Sequence, residues 1–241
     1  MTSPLSKLRA LAELVRVSNL PTVWMNVTTA AVLSSQAGQT DVSGLIRLAV
    51  GMSALYAAGV ALNDIVDRDY DGRDKPARPI PSGRVALWEA RSISALLFLV
   101  GLSFAAQDAP PQAATAALVL VGFIIAYNLL HKLNPLAILL MGACRFLVYP
   151  TTALALTGEV PPVVGLAGMV AFSYTLAISL AARYETSRGR NFERPIIPWM
   201  LSGMPLIDGL VLAVFAGGIW PMAGGAAFLL TLAAQYRLRG D

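Results

Sequence analysis

Residues 43–71 read SGLIRLAVGMSALYAAGVALNDIVDRDYD. The first part, 43–63, is long and apolar enough to cross a bilayer, which takes roughly 20 residues. The tail then places four aspartates, Asp64, Asp67, Asp69 and Asp71, in quick succession. On a helix turning about 100° per residue, Asp64, Asp67 and Asp71 fall within about 60° of one another, and Asn63 extends that face by about 40°. Asp69 points elsewhere and belongs, with Asp74, to a solvated face. The stretch is therefore a membrane helix that carries a stripe of carboxylates out of the bilayer at one end.

The rest of the chain agrees with a membrane setting. Of 241 residues 56% are hydrophobic and 13% charged, and the mean hydropathy is +0.63, outside the range of soluble globular domains. Apolar runs near 20–36, 43–63, 88–106, 112–130, 135–157, 161–183, 196–216 and 220–236 predict one all-α domain over 1–241, a polytopic transmembrane bundle of about eight spans. The first sixteen residues, MTSPLSKLRALAELVR, are polar and basic, so no cleaved secretory signal is expected. The single cysteine, Cys144, lies in an apolar run and excludes an intramolecular disulfide.

Charge placement orients the bundle. Lys7, Arg9 and Arg16 precede the first run, and Arg68, Arg73, Lys75, Arg78, Arg84 and Arg91 follow the second. Lys132 follows the fourth, Arg183, Arg188, Arg190 and Arg194 the sixth, and Arg237 and Arg239 the last. All face one side, and the opposite connections hold Asp41, Asp108 and Glu159 but no Lys or Arg. Positive loops are cytoplasmic, so both termini and the loops at 64–87 and 183–195 are expected in the cytoplasm. The net charge of +4 is thereby a topology signal, and no nucleic-acid partner is expected. The phrase Arg78-Pro79-Ile80-Pro81 returns as Arg194-Pro195-Ile196-Ile197-Pro198. It either marks two pseudo-repeated four-helix halves, which usually place a ligand between them, or is a chance match.

Carboxylates this close raise one another's pKa and repel, so the stripe is stable only when cations neutralise it. Oxygen-only ligands favour a hard ion, and Mg²⁺ is commonly held by one or two carboxylates together with substrate phosphates. The alternative is a solvated helix end that balances the surrounding basic residues. Lys132, Arg183 and Arg188 sit at helix ends on the same side and are candidates for phosphate contact, although positive-inside bias alone would also place them there.

The string Asn63-Asp64-x-x-Asp67-x-x-x-Asp71, followed by Arg78-Pro79-Ile80-Pro81-Ser82-Gly83, resembles the first aspartate-rich motif of the UbiA superfamily of intramembrane prenyltransferases. Arg16, Asn19-Leu20-Pro21-Thr22 and Asn26 resemble that family's approach to its first helix, and Tyr127-Asn128 with Lys132 the end of its fourth. Within the superfamily, the EboC-like branch is the nearest resemblance. The resemblance implies a lipid-open helical bundle in which a prenyl diphosphate, bound through Mg²⁺, transfers its isoprenoid to a hydrophobic aromatic or lipid acceptor. It implies metal and catalytic roles for Asp64, Asp67 and Asp71. Substrate-binding roles follow for Asn26, Asn63, Arg78, Tyr127 and Asn128.

The family's second aspartate-rich motif has no counterpart. Residues 182–193 read ARYETSRGRNFE, in which Glu185 and Glu193 are the remaining acids; Glu185 is the candidate second metal ligand and catalytic residue, or else a surface partner for Arg188 or Arg190. The alternative function is therefore a bundle of the same fold that binds or transports an isoprenoid or lipid precursor without turnover. Phosphatidyl transfer is disfavoured, because Asp71-Gly72 lies too far from Ala77-Arg78 and no downstream aspartate pair follows. Two further charges lie at membrane depth, Arg145 about ten residues into the fifth run and Asp208 about twelve into the seventh, where an unpaired charge is costly. They are expected to face the interior together, either as a structural salt bridge or in acceptor binding. Tyr149, Tyr174, Phe123 and Phe146 are candidates to shield a carbocation or simply to pack.

Overall fold

The computed structural model describes residues 4–35, 41–188 and 196–238, with side chains as far as Tyr184 in the second of these segments. Among them every regular element is a helix: α1 (Pro4–Leu14), a 3₁₀ turn (Val17–Asn19), α2 (Leu20–Ser34), α3 (Val42–Val66), α4 (Arg68–Asp74), α5 (Leu87–Ala106), α6 (Pro111–Leu130), α7 (Ala137–Thr157), α8 (Pro162–Arg188), α9 (Ile196–Phe215) and α10 (Trp220–Arg237). Six of these, α3 and α5 to α9, are long and apolar enough to cross a membrane. The expected first and eighth spans exist as α2 and α10, but with 15 and 18 residues. At about 1.5 Å per residue they reach about 22 and 27 Å, against a hydrocarbon core of about 30 Å.

Two expected loops are shorter than their sequence boundaries. The stretch 64–87 stays helical as far as Asp74 before a run of turns leads into α5, and α8 carries 183–188 into what was read as the 183–195 loop. Arg194 and Pro195 of the repeated phrase lie outside the described residues.

α2 sits at the centre, packed against α3, α7, α9, α8 and α10. Val23, Val27, Leu48, Met52, Leu55, Leu120, Ile124 and Tyr149 interlock as the main core. The outward faces are apolar too, with Leu96, Leu99, Leu118, Val214 and Leu229 all more than half exposed, as expected where lipid is the solvent. Helices approach through glycines. A Cβ on Gly224 of α10 would stand 2.6 Å from the Pro205 carbonyl oxygen of α9, and one on Gly101 of α5 2.9 Å from the Gly51 oxygen of α3. Small residues allow such backbone contact, which replaces the hydrophobic effect as the packing force in lipid.

α1 is different. Its Ala10 and Leu14 join Ala61, Ile65, Val85 and Ala90 in a second buried cluster, so it lies over the ends of α3 and α5. Burying Leu14 there is worth about 2 kcal/mol. Lys7 pairs with Glu89, and Arg84 with Glu13. Glu89 also accepts the Ala86 N–H at the start of α5 (2.7 Å). At the opposite end of the bundle Arg47 donates to the carbonyls of Phe104 and Gln107, the last acceptors of α5 that lack a helical partner.

Candidate active site

Asp64 lies near the end of α3, Asp67 at the break before α4, and Asp71 within α4. The break is local. The Asp67 N–H still donates to the Asn63 carbonyl (2.9 Å) and the Asp71 N–H to the Asp67 carbonyl (2.9 Å), so the helical progression survives it. Asp64, Asp67 and Asp71 turn inward at 4%, 5% and 5% exposure. The Asp69 side chain is 76% exposed and pairs with Arg68 at 3.4 Å. Asp74 is exposed as well.

Buried carboxylates require cations, and each has them. Arg78 Nη1 lies 2.6 Å from Asp71 and 3.3 Å from Asp64, and Arg16 Nη2 3.5 Å from Asp64. Arg16 reaches inward from a left-handed backbone conformation (φ 46°, ψ 54°) between α1 and the 3₁₀ turn, which costs a side-chain-bearing residue about 1 kcal/mol.

Asp67 is held from the turn that follows α6, with Lys132 Nζ at 3.6 Å and His131 Nε2 at 3.1 Å. His131 Nδ1 lies 3.0 Å from the Asn128 carbonyl. Carbonyl and carboxylate oxygens only accept, so these two contacts favour the protonated ring. The Asp67 hydrogen bond is the main cause holding the His131 pKa above its ordinary value, against burial. In return, the burial that would raise the Asp67 carboxyl is outweighed by the His131 bond and by the charges of His131, Lys132 and Arg78, which hold it below the usual carboxylate range. Tyr127 stacks on the imidazole with ring centres 5.2 Å apart. Lys132 also sits 5.0 Å over the Tyr70 ring.

The other expected site residues divide by position. Asn63 is half-buried beside Asp64. Asn128 donates to the carbonyls of Gly59 (3.2 Å) and Ile124 (2.9 Å), which locks α6 to α3. Arg183 on α8 is near enough for its charge to act on Tyr127. Glu185 and Arg188 belong to the helical backbone of α8, but their side chains lie outside the described residues. Asn26 and Arg145 are not at the acidic end; they meet Tyr149 and Asp208 deeper in the bundle. The expected Arg145–Asp208 salt bridge is not formed directly, because Asn26 stands between the two and accepts from one while donating to the other.

The donor set suits Mg²⁺. The ligand atoms are hard carboxylate oxygens, and Asp67 Oδ1 is buried without a partner. Among the described residues no group of three acids, histidines or cysteines could hold an ion by itself. Mg²⁺ does not need such a cage, since one or two carboxylates with phosphate oxygens and water suffice. The set therefore fits an ion that arrives with a diphosphate.

Two contributors to the charge balance were missed at the sequence level. Arg16 is read from the sequence as a topology charge and as part of the approach to α2, not as a partner of the carboxylates. His131, the single histidine of the chain, was passed over although it directly precedes Lys132 and follows Tyr127 by one helical turn.

These features define a polytopic helical membrane protein with a charged site at one end of the bundle. The chain matches the UbiA prenyltransferase family over residues 23–239 and belongs to that family. It is 40% identical over 112 residues to the digeranylgeranylglyceryl phosphate synthase of Ignicoccus hospitalis, a match covering 46% of this chain and 36% of that one. It is 30% identical over 168 residues to the 4-hydroxybenzoate octaprenyltransferase of Cupriavidus necator, covering 67% and 58%. The chain thus spans about a third of the first relative's length and little more than half of the second's. A solved structure concerned with digeranylgeranylglyceryl phosphate synthase superposes with a TM-score of 0.66 at 21% identity, covering 96% of this chain and 88% of that one. A UbiA homologue from Archaeoglobus fulgidus bound to DMAPP and Mg²⁺ gives 0.59 at 14% identity, with the same coverage. These likenesses establish the fold.

Proposed function

We propose that the chain is an intramembrane prenyltransferase that moves an isoprenoid from its diphosphate to a hydrophobic acceptor with Mg²⁺. The observation that carries this reading is the inward turn of Asp64, Asp67 and Asp71 under Arg16, Arg78, His131 and Lys132. Asp64, Asp67 and Asp71 would hold Mg²⁺, which when bound neutralises charge developing on the leaving diphosphate. As the carboxylates change partner, Arg78, Lys132, His131 and Arg16 are freed to donate to phosphate oxygens. Those donors matter most late in the step, where the allylic carbon–oxygen bond breaks, both electrons leave with the diphosphate and its negative charge grows by one. The carbocation is then captured by the acceptor, which releases a proton. The relatives' names, one acting on 4-hydroxybenzoate and another making a glyceryl phosphate lipid, support an acceptor of aromatic or lipid type.

The positive residues around the acidic end support a cytoplasmic location for that face and for both termini, in the cell membrane if the source is bacterial. Arg47, the exception at the other end, is engaged by helix carbonyls. A second reading, binding or transport without turnover, is favoured by the absence of aspartate from 182–193. The deciding experiment is pyrophosphate release from geranyl or geranylgeranyl diphosphate by purified protein with Mg²⁺ and candidate acceptors. Release that needs Mg²⁺ and falls at least a hundredfold in Asp64→Asn is expected. Mg²⁺-dependent binding with no release across the acceptors would favour the second reading.

A further inference from the structure

Asn26 of α2, Arg145 and Tyr149 of α7 and Asp208 of α9 form one polar network inside the bundle. Asn26 Nδ2 donates to Asp208 Oδ2 (2.6 Å) and to the Tyr149 hydroxyl (2.9 Å). The Tyr149 hydroxyl donates to Asp208 Oδ1 (2.6 Å), and Arg145 Nη1 donates to Asn26 Oδ1 (2.7 Å). At about 1.5 Å per residue, Arg145 lies about 12 Å along α7 and Asp208 about 18 Å along α9 from the helix ends nearest the acidic site. Both are within the span, where ionisable groups are rare and serve pathways or ligands.

The connectivity is not that of a structural ion pair. Both oxygens of Asp208 are satisfied by neutral donors, whereas the guanidinium makes one hydrogen bond to protein among the described residues. Its other donors are not sealed among the buried unpartnered atoms. Arg145 lines a small, partly open cleft of about 10 Å³, bordered by Tyr174, Ala171, Met204 and Ile207. Arg145 therefore keeps a planar donor fork at membrane depth, aimed from below by Asn26. Such a fork matches two oxygens of one acid group.

We propose that Arg145 anchors the acid group, a carboxylate or a phosphate, of the acceptor, with Asn26, Tyr149 and Asp208 as positioning residues that aim the guanidinium. The assignment deepens the transferase reading and rests on it for the word acceptor. It places a second anion site inside the bundle, separate from the diphosphate site, and makes acidity of the acceptor a specificity requirement.

The test is direct binding to purified protein in nanodiscs, without donor, so that turnover is not needed. The probes are 4-hydroxybenzoate against 4-hydroxybenzamide, and a monoalkylglyceryl phosphate against the same lipid with a free hydroxyl. Wild type is expected to bind at least one acid tenfold or more tightly than its neutral partner, and the pair that shows the preference identifies carboxylate or phosphate. Arg145→Gln should erase that preference while leaving Mg²⁺-dependent geranyl diphosphate binding within threefold. Arg145→Lys, which keeps charge without the fork, should restore part of it. Asp208→Asn should weaken acid binding a few fold and leave neutral-probe binding unchanged. No preference in wild type for either acid, or a preference untouched in Arg145→Gln, overturns the assignment. If the acids bind through Arg145 but no acceptor is ever prenylated, the transferase reading fails and the anion site stands.

Discussion

Asp64 and Asp69 are five residues apart and chemically identical, yet one is buried among guanidinium groups and the other is in solvent. That contrast is a test. Asp64→Asn or Asp67→Asn should weaken Mg²⁺-dependent geranyl diphosphate binding at least tenfold, by calorimetry or equilibrium dialysis, while Asp69→Asn stays within twofold. Equal losses at all three would mean that the acids act as a solvated patch. Arg78 bridges Asp64 and Asp71, so its removal has two opposed consequences. Without Mg²⁺, Arg78→Ala leaves two buried carboxylates short of a cation, and the melting temperature should fall by several degrees. With Mg²⁺ and geranyl diphosphate present together the ion replaces much of that charge, so the deficit should shrink. A deficit unchanged by the two together would show that the ion does not reach these carboxylates.

Glycine contacts decide how closely α9 and α10 can run. In Gly224→Ala the new methyl group meets the Pro205 oxygen at 2.6 Å and the Gly209 Cα at 3.2 Å. Backbone cannot yield as a side chain can, so the helices must separate, at about 1–3 kcal/mol. Gly225→Ala, one position on, meets nothing within 4 Å and should be neutral or slightly stabilising, because alanine favours helix. Thermal unfolding of both variants in one detergent checks the pair, and equal effects would place the α9–α10 interface wrongly.

A pH effect belongs to the outer end of α3. Asp41 caps that helix by accepting from the Ser43 N–H (3.0 Å) and hydroxyl (2.8 Å), and the side-chain bond from Ser43 is the first cause that lowers its pKa. A carboxyl with a lowered folded pKa stabilises fully above its unfolded value, about 3.9, and loses that contribution as pH falls through the lower folded value. The hydrogen-exchange protection factor of the first turn of α3, taken relative to the intrinsic rate at each pH, should therefore be high at neutral pH and fall below about pH 4. In Asp41→Ala it should be low throughout.

For the whole molecule, the arrangement of charge predicts sidedness. In a Cys144→Ala background, cysteine at Ser82, an exposed turn position, should resist an impermeant maleimide in intact cells. Cysteine at Glu159, exposed beyond the end of α7, should react. The opposite pattern would invert the topology. Cysteine at Tyr236, exposed near the end of α10, should behave like Ser82 if α2 and α10 both cross. Labelling from outside would mean that one of these two short helices does not span.

The sequence by itself determined the membrane class, the all-helical architecture and the division of Asp64, Asp67 and Asp71 from Asp69, because hydropathy and helical periodicity are local properties that neighbours along the chain carry. It also marked Arg145 and Asp208 as interior, since a charge inside an apolar run has few other places to go. Only the tertiary structure decided the partners. Arg16 and His131 reach the carboxylates from α1's end and from the turn that follows α6, and Asn26 separates Arg145 from Asp208, because contacts between distant segments depend on helix rotation and depth, which no local pattern encodes. The spans α2 and α10 are short, at 15 and 18 residues, and in α10 Gln235 is also compensated from outside, by Asn19 and Ser202; hydropathy along one segment cannot register a hydrogen bond supplied by another.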